Sequence, residues 1–330
     1  MKVSELGEFG LIDLLNKIIT DSKINRLAPD LLIGIGDDTA AWKCSGAIQL
    51  ATVDSMVQDV HFSLETTTWR ELGWKALAIN LSDIAAMGGM PRYALVALSL
   101  QEDTEVEDIT QLYQGMIDLA RQFNTAIVGG NISRAPQVSI TITVIGESLN
   151  KDILKRSAAR PGDAVAVTGY PGSAAAGLEM LTKKLKFKSD AAEYFRKAFL
   201  HPLPRIAEGQ LLVKNGITTA IDTSDGLLSD LRHICEASSV SARVNIDAMP
   251  IHNMLKENFG EKAAAMALSG GEDYELLFTG NARLISKIKT DLQCPVTVIG
   301  EITGGEPGKI NLVDAGGKSV KIEKTGWTHF

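Results

Sequence analysis

The sequence is short of cysteine and of long hydrophobic runs. Its 330 residues include 3 cysteines, Cys44, Cys235 and Cys294, with no Cys-x-x-Cys pair, so neither a disulfide framework nor a structural zinc site is expected. No apolar run approaches the roughly 20 residues that a membrane helix requires. Residues 1–8 are polar and acidic, unlike a secretory signal. We therefore expect a soluble cytoplasmic protein with no membrane partner.

Basic charge is also scarce. The chain has 33 Lys and Arg residues against 40 Asp and Glu, a formal net charge of −7. Because no basic cluster is present, nucleic acid is not expected as the main partner. The length is near the upper limit for one hydrophobic core, so two domains are expected.

The usual nucleotide-binding and hydrolase motifs are missing as well. The segment Gly172–Gly177 resembles a phosphate loop, but Leu178 stands where the loop needs lysine. Gly34-Ile35-Gly36 is followed by two aspartates instead of the third glycine of a dinucleotide turn. His-Glu-x-x-His and Gly-x-Ser-x-Gly do not occur. The sequence therefore offers no support for a zinc hydrolase or a serine hydrolase.

Hydrophobic spacing in the first half predicts one clear helix and several strands. Apolar residues recur at helical spacing over Thr104–Phe123. Gln137–Glu147 alternates apolar and polar residues, which favours an antiparallel or barrel strand. Ala47–Asp54 and Tyr93–Leu100 are also predicted to be strands. The first half is expected to be α+β, with a mostly antiparallel sheet.

A polar stretch after Glu147, followed by Arg160-Pro161-Gly162-Asp163, indicates a domain boundary. We predict domains over 1–150 and 151–330. Strands alternate with helical patterns in the second half, which is typical of an α/β plan. The predicted strands are Ala164–Thr168, Thr218–Ile221, Ala242–Ile246, Tyr274–Phe278 and Val296–Ile299.

Aspartate recurs beside glycine or at predicted strand ends. Such residues are Asp37, Asp38, Asp54, Asp83, Asp222, Asp225 and Asp273. Each alone is an ordinary turn or helix-cap residue. Asp83 is different, because the apolar stripe of a helix predicted over Trp69–Met87 runs through Ala76 and Ile79 to this carboxylate.

A buried, unpaired carboxylate costs several kcal/mol, so Asp83 needs a cation or hydrogen-bond donors. A salt bridge to an arginine remains open as one answer. Several inward carboxylates together favour Mg²⁺, which prefers oxygen ligands and often bridges to phosphates. Metal ions would also allow an acidic protein to bind anionic phosphates.

Motifs in the same order along nearly the whole chain resemble the thiamine-monophosphate kinase family. They are Gly34–Ala40, Val53-Asp54 with His61-Phe62, Lys75–Gly88, Arg156-Ser157, Arg160–Asp163, Ile221–Leu227, Ser269–Leu276 and Gly326–Phe330. The resemblance implies a two-domain fold like that of aminoimidazole-ribonucleotide synthetase. Its N-terminal ATP- and Mg²⁺-binding domain would pair with that of a second subunit in a homodimer. An α/β C-terminal domain would serve substrate and nucleotide.

The implied reaction is transfer of phosphate from ATP to thiamine monophosphate with several Mg²⁺ ions. The resemblance assigns metal ligation to Asp38, Thr52, Asp54, Asp83, Asn131, Asp222 and Asp225. It assigns ATP contacts to Gly130, Asn131, Arg156 and Ser224, and thiamine phosphate contacts to His61, Glu272 and Trp327. The acceptor phosphate has a second pKa of about 6, so it needs no general base. We expect direct in-line transfer with no acid–base residue and no phosphoenzyme.

The sequence departs from the family at Asn131, where the motif Gly-Gly-Asp-Thr reads Gly129-Gly130-Asn131-Ile132. Asparagine can ligate Mg²⁺ through its amide oxygen but carries no charge, so we expect a higher Mg²⁺ requirement. Two alternatives stay open. One is another ATP-using enzyme of the same superfamily, such as selenophosphate synthetase or the ribonucleotide cyclo-ligase. The other is a catalytically weak paralogue that binds thiamine phosphates.

Overall fold

The computed structural model describes residues 29–44, 46–148 and 152–320, with six further positions between residues 10 and 21. Its strands are β1 (Leu31–Ile33), β2 (Ala40–Cys44), β3 (Ala47–Val57), β4 (Met90–Leu100), β5 (Ala126–Arg134), β6 (Ser139–Ser148), β7 (Ala164–Thr168), β8 (Thr219–Asp222), β9 (Ser241–Asn245), β10 (Leu276–Gly280), β11 (Val296–Thr303) and β12 (Ile310–Val313). Its named α-helices are α1 (Trp69–Ala86), α2 (Val106–Gln122), α3 (Ser173–Thr182), α4 (Ser189–Leu200), α5 (Ile206–Lys214), α6 (Leu227–Ala237), α7 (Asn253–Phe259), α8 (Lys262–Ser269) and α9 (Ala282–Ile288). Among these described helices, none has the length and apolar character to cross a bilayer.

The first six strands form one sheet in the order β1-β2-β3-β6-β4-β5. All neighbours are antiparallel except β4 and β5, which run parallel. Along β6 the side chains of Ile140, Ile142 and Val144 are buried, and their neighbours are less so. The mostly antiparallel sheet and the alternation predicted for this strand are therefore confirmed, as is the helix α2.

The second sheet has the order β12-β9-β11-β7-β10-β8. Helices alternate with its strands along the chain, as expected of the second half. Its neighbours are nevertheless antiparallel, apart from the parallel pair β9 and β12. The end of β8, at Asp222, faces the first half of the molecule, because β8 contacts α1.

Helix α1 joins the two sheets. It contacts β3 and β6 of the first sheet, β8 of the second sheet, and α5. Thr68 and Glu71 form a capping box at its start, which satisfies two backbone N–H groups. Leu77, Leu81 and Ile84 are fully buried, as expected of a helix that is covered on most sides. Functional groups on α1 are therefore held rigidly.

Two glycines let α1 and α2 approach each other closely. A Cβ atom on Gly73 would lie 1.9 Å from the carbonyl oxygen of Leu112, and one on Gly115 would lie 1.9 Å from that of Arg70. Both distances are far below van der Waals contact, and backbone atoms cannot swing aside as a side-chain end can. The two helices can pack this closely only because Gly73 and Gly115 have no side chains.

We predict that Gly115→Ala lowers the free energy of unfolding. Alanine gains about 1 kcal/mol of helix propensity over glycine, but forcing the helices apart costs roughly 1–3 kcal/mol or more. Thermal and urea unfolding measure the change, with Thr110→Ala on the exposed face of the same helix as control. An unfolding midpoint equal to or above that of the wild type would contradict the close helix contact.

Candidate functional site

Three aspartates from distant parts of the chain meet where α1 contacts the second sheet. Asp38 precedes β2, Asp83 lies in the last turn of α1, and Asp222 ends β8. One carboxylate oxygen from each lies within 4.8 Å of the others. Asp38 and Asp222 are buried. We call Asp38, Asp83 and Asp222 the acidic cluster.

Neighbouring hydroxyl groups orient two of these carboxylates. The Ser82 hydroxyl donates a hydrogen bond to Asp222 Oδ2 at 2.6 Å, and the Thr52 hydroxyl donates to Asp83 Oδ2. Thr52 was predicted at this site, whereas Ser82 was not. Its only sequence signal is its position beside Asp83 in the motif Lys75–Gly88.

Asp54 lies beside the acidic cluster. Its backbone N–H donates to Asn80 Oδ1 at 3.0 Å, and the Asn80 amide donates in turn to the Ala76 carbonyl at 3.1 Å. The Asp54 charge acts on both Asp83 and Asp222. The structure thus brings five of the predicted metal ligands together, namely Asp38, Thr52, Asp54, Asp83 and Asp222. Asn80 fixes the strand that carries Asp54.

Arg156 supplies positive charge to this region. Its guanidinium donates a hydrogen bond to Asp38 Oδ1, and its backbone N–H donates to Asp37 Oδ2 at 3.3 Å. Burial opposes its charge, but Asp38 and Asp37 raise the pKa of Arg156 above its ordinary value. Arg156 was predicted to bind ATP, and in this structure it is an ion-pair partner of the acidic cluster.

Asp83, Asp222 and Asp37 are held in an environment that raises their pKa values. Burial, and then the charges of Asp54, Asp222 and Asp38, raise the pKa of Asp83 well above its ordinary value. Burial and the charge of Asp38 raise the pKa of Asp222 to about 7. Burial and Asp38 likewise raise the pKa of Asp37 to about 6. A cation added here would therefore bind and displace protons.

The residues of the acidic cluster fit Mg²⁺. All three offer carboxylate oxygens, which are the ligands that Mg²⁺ prefers. Asp38 Oδ2 is buried and has no hydrogen-bond partner among the described residues. A buried charged oxygen without a donor is costly, and a divalent cation would satisfy it.

Two further predicted residues lie in the loop after β8. The Ser224 carbonyl accepts a hydrogen bond from the Glu272 N–H at 2.7 Å. Asp225 is partly buried, and its charge acts on the buried Asp230. Asp230 in turn accepts from the Gly226 N–H at 3.1 Å, which holds the start of α6. This loop is adjacent to Asp222 in sequence, but Asp225 is not in the acidic cluster.

Gly130 and Asn131 lie on β5. A Cβ atom on Gly130 would meet the Val96 carbonyl oxygen at 1.8 Å, so only glycine lets β5 pair here with β4. Asn131 pairs with Ala97 on the exposed face of the sheet. Asp54 on β3 pairs with Ile142 on β6, which pairs in turn with Val96 on β4. Ile142 and Val96 are buried, so Asp54 points to the buried face of the sheet. The side chain of Asn131 is therefore on the other face of the sheet from the acidic cluster.

Of the three residues predicted to bind the thiamine phosphate, His61 and Glu272 lie among the described residues. His61 Nδ1 accepts a hydrogen bond from the Val57 N–H at 3.1 Å, just after β3. Glu272 follows Gly270-Gly271, and its carboxylate lies 2.9 Å from the ammonium of Lys75. Trp327 lies outside the described residues. Lys75 was missed, although it lies eight residues before Asp83 on the same stripe of α1.

The Gly172–Gly177 segment is not a free phosphate loop. Asp273 accepts hydrogen bonds from the N–H groups of Gly172 and Ala174 at 2.6 and 3.0 Å. The amides at the start of α3, which a phosphate would need, are thus occupied by a carboxylate of the same chain. This agrees with the absence of the lysine.

Comparison with known proteins gives a consistent result over the whole chain. Residues 36–148 match the family "AIR synthase related protein, N-terminal domain", and residues 160–313 match the corresponding C-terminal domain. The chain is 37% identical to thiamine-monophosphate kinase of Bacillus subtilis, covering 98% of this chain and 100% of that protein. It is 35% identical to the Aquifex aeolicus enzyme of that name, covering 100% of both. A solved structure of AaThiL complexed with AMPPCP and TMP superposes with a TM-score of 0.87 at 34% identity, covering 100% of this chain and 99% of the other.

We predict that the stability of the metal-free protein falls as pH rises from about 5 to about 8. The folded state raises the pKa of Asp222 to about 7, so it binds this proton more tightly than the unfolded chain does. That contribution is complete below the unfolded carboxyl pKa of about 4 and is lost as pH rises through about 7. Asp222→Asn should flatten the decline in melting temperature.

The control for this prediction is Asp103→Asn, which changes an exposed aspartate and should keep the full decline. Added Mg²⁺ should raise the melting temperature of the wild type at pH 8 and have little effect on Asp222→Asn. Equal pH profiles for the wild type and Asp222→Asn would contradict the charge crowding described here.

Proposed function

Because the chain belongs to the thiamine-monophosphate kinase family, we propose that it transfers the terminal phosphoryl group of ATP to thiamine monophosphate. The products are thiamine diphosphate and ADP. The family membership rests on matches that span the chain end to end, and the solved relative AaThiL is complexed with AMPPCP and TMP.

The acidic cluster is the structural feature that supports a phosphate-transfer reaction. A protein with a net charge of −7 has to bring together two polyanions, and the cluster concentrates more negative charge at one place. Such a site suits phosphates only when divalent cations lie between protein and substrate. The buried Asp38 Oδ2 without a donor supports the same conclusion.

Mg²⁺ would neutralise charge on the transferred phosphoryl group and on the acceptor. Asp38, Asp54, Asp83 and Asp222 are the residues that would hold it. Ser82 and Thr52 orient two of these carboxylates, and Arg156 fixes Asp38. The roles proposed for Asn131, Asp225, Gly130, Ser224, His61 and Trp327 rest on the family motifs.

No residue is required as a general base. The acceptor is a phosphate monoester with a second pKa of about 6, so it is mostly a dianion at neutral pH. Its oxygen can attack directly, and the protein's task is to hold the acceptor in line with the terminal phosphate of ATP. The proposal therefore includes direct transfer without a phosphorylated residue.

The alternatives from the same superfamily are not favoured. Relatives that are 35–38% identical over 98–100% of the chain are named thiamine-monophosphate kinase. The catalytically weak paralogue was suggested by Asn131 alone. Because that side chain lies on the other face of the sheet from the acidic cluster, its change leaves the cluster intact.

We propose that the chain forms a homodimer through the first sheet. The face of this sheet that carries Asn131 exposes several large apolar side chains, among them Val53 (58% exposed) and Leu95 (40%). Apolar side chains this exposed on one face of a sheet are typical of a surface that another subunit covers. The domains over 1–150 and 151–330, and the cytoplasmic location, remain predictions.

We predict that the purified protein forms ADP and thiamine diphosphate in equal amounts when ATP, Mg²⁺ and thiamine monophosphate are all present. Omitting any one should abolish product, and Asp83→Asn should lower kcat by at least a hundredfold, since a metal ligand is lost. Chromatographic separation of the thiamine phosphates measures this. Tight binding of thiamine monophosphate without turnover would favour the weak paralogue, and a covalent phosphate on the quenched protein would refute direct transfer.

The family motif assigns Asn131 to a metal site separate from the acidic cluster, and on that basis we predict that Asn131→Asp lowers the Mg²⁺ concentration needed for half-maximal rate, because it adds a negative charge where the family usually has one. The effect should be severalfold, with a small change in the rate at saturating Mg²⁺. Asn311→Asp, at an exposed position of β12, adds the same charge elsewhere and should change nothing. An unchanged Mg²⁺ dependence in Asn131→Asp would remove this residue from the metal sites.

A further inference from the structure

Lys75 is a buried cation with one carboxylate partner. Its side chain is 2% exposed, and its ammonium lies 2.9 Å from Glu272 Oε1 and 3.4 Å from the centre of the Phe199 ring. Burial lowers the pKa of Lys75, and the charge of Glu272 opposes that shift. The carboxylate partner thus favours the charged form of Lys75 against the effect of burial.

The backbone of Glu272 is fixed independently of this pair. Its φ is 64°, a left-handed conformation that is uncommon for a residue with a side chain. Its N–H donates to the Ser224 carbonyl at 2.7 Å, and a Cβ atom on Gly271 would lie 2.4 Å from the same oxygen. The segment is therefore pressed against the loop that follows Asp222.

The ion pair with Lys75 orients the Glu272 carboxylate. The Glu272 side chain is 29% exposed, so it has access to solvent and could turn outward. Lys75 lies two helical turns before Asp83 on α1, on the same side of the helix. Helix α1 therefore carries Asp83 of the acidic cluster and also holds the Glu272 carboxylate near the loop that follows Asp222.

We propose that Lys75 is a positioning residue, which holds the Glu272 carboxylate ready for the positively charged thiazolium part of the acceptor. This inference rests on the proposed function. Lys75 contacts the Glu272 carboxylate through Oε1, and the Glu272 side chain is 29% exposed, so a cation can approach it from the solvent side. ATP has no corresponding cation, so the effect belongs to the acceptor and not to the nucleotide.

A purely structural ion pair makes a different prediction. Buried pairs often contribute little net stability, and removal of both charges is often tolerated, whereas removal of one partner leaves a buried charge. A structural pair would therefore change the melting temperature without a selective effect on one substrate. The KM values of the two substrates separate these roles.

The test compares the steady-state kinetics of the wild type with those of Lys75→Met, Glu272→Gln and the double variant. We expect each single variant to raise the KM for thiamine monophosphate by about tenfold or more, which corresponds to about 1.4 kcal/mol. The KM for ATP should change by less than about twofold. The double variant should be no worse than the worse single variant, because the two residues act through one interaction.

The matched control is Arg196→Met. Arg196, on α4, donates two hydrogen bonds of 2.8 and 2.6 Å to Glu71 in the first turn of α1. Like the Lys75–Glu272 pair, this ion pair tethers α1 to another part of the chain. We expect this variant to lower the melting temperature and to leave both KM values unchanged. It measures what loss of a helix-tethering ion pair does by itself.

A Lys75→Met protein that is destabilised but keeps the wild-type KM for thiamine monophosphate would overturn the inference, as would equal increases for both substrates. If Lys75→Met does not fold, Glu272→Gln and the double variant decide in the same way. Absence of turnover in the wild type would instead refute the proposed function. In that case, unchanged binding of thiamine monophosphate by Glu272→Gln, measured by calorimetry, would overturn the inference separately.

Discussion

The mutual repulsion of Asp38, Asp83 and Asp222 is the interaction on which the site depends. Their oxygens approach within 4.8 Å in a partly buried place. Two full negative charges at about 4 Å repel by roughly 4 kcal/mol at an effective dielectric constant near 20. Arg156, Ser82 and Thr52 offset part of this cost, while burial and then the neighbouring carboxylates raise the pKa values of Asp83 and Asp222. The fold therefore stores an affinity for cations that a phosphate-transfer enzyme can use.

Helix α1 makes this crowding possible because it is held from both sides. It lies against β3 and β6, reaches β8, and is pressed onto α2 at Gly73 and Gly115. A helix fixed so tightly cannot rotate to relieve the repulsion around Asp83. Lys75 and Ser82 lie on the same rigid helix. Packing of the core therefore also determines the direction of their side chains toward Glu272 and Asp222.

Much of this could be predicted from periodicity and motifs. The apolar stripe through Ala76 and Ile79 placed Asp83 inward, and alternation in β6 indicated a sheet with one buried face. The partners of these groups could not be read in the same way. Ser82 lies 140 positions from Asp222, and Glu272 lies far along the chain from Lys75, so each contact exists only after the two sheets have assembled. The outward position of Asn131 likewise depends on the register of β5 against β4.

The central claim is that divalent metal binds at the acidic cluster. A crystal of the protein grown with Mn²⁺, a non-hydrolysable ATP analogue and thiamine monophosphate tests it directly through the anomalous scattering of manganese. We predict strong peaks within about 2.5 Å of oxygens of Asp38, Asp83 and Asp222, on the side that faces the nucleotide phosphates. Phosphates bound without a manganese peak at these three residues would contradict the account.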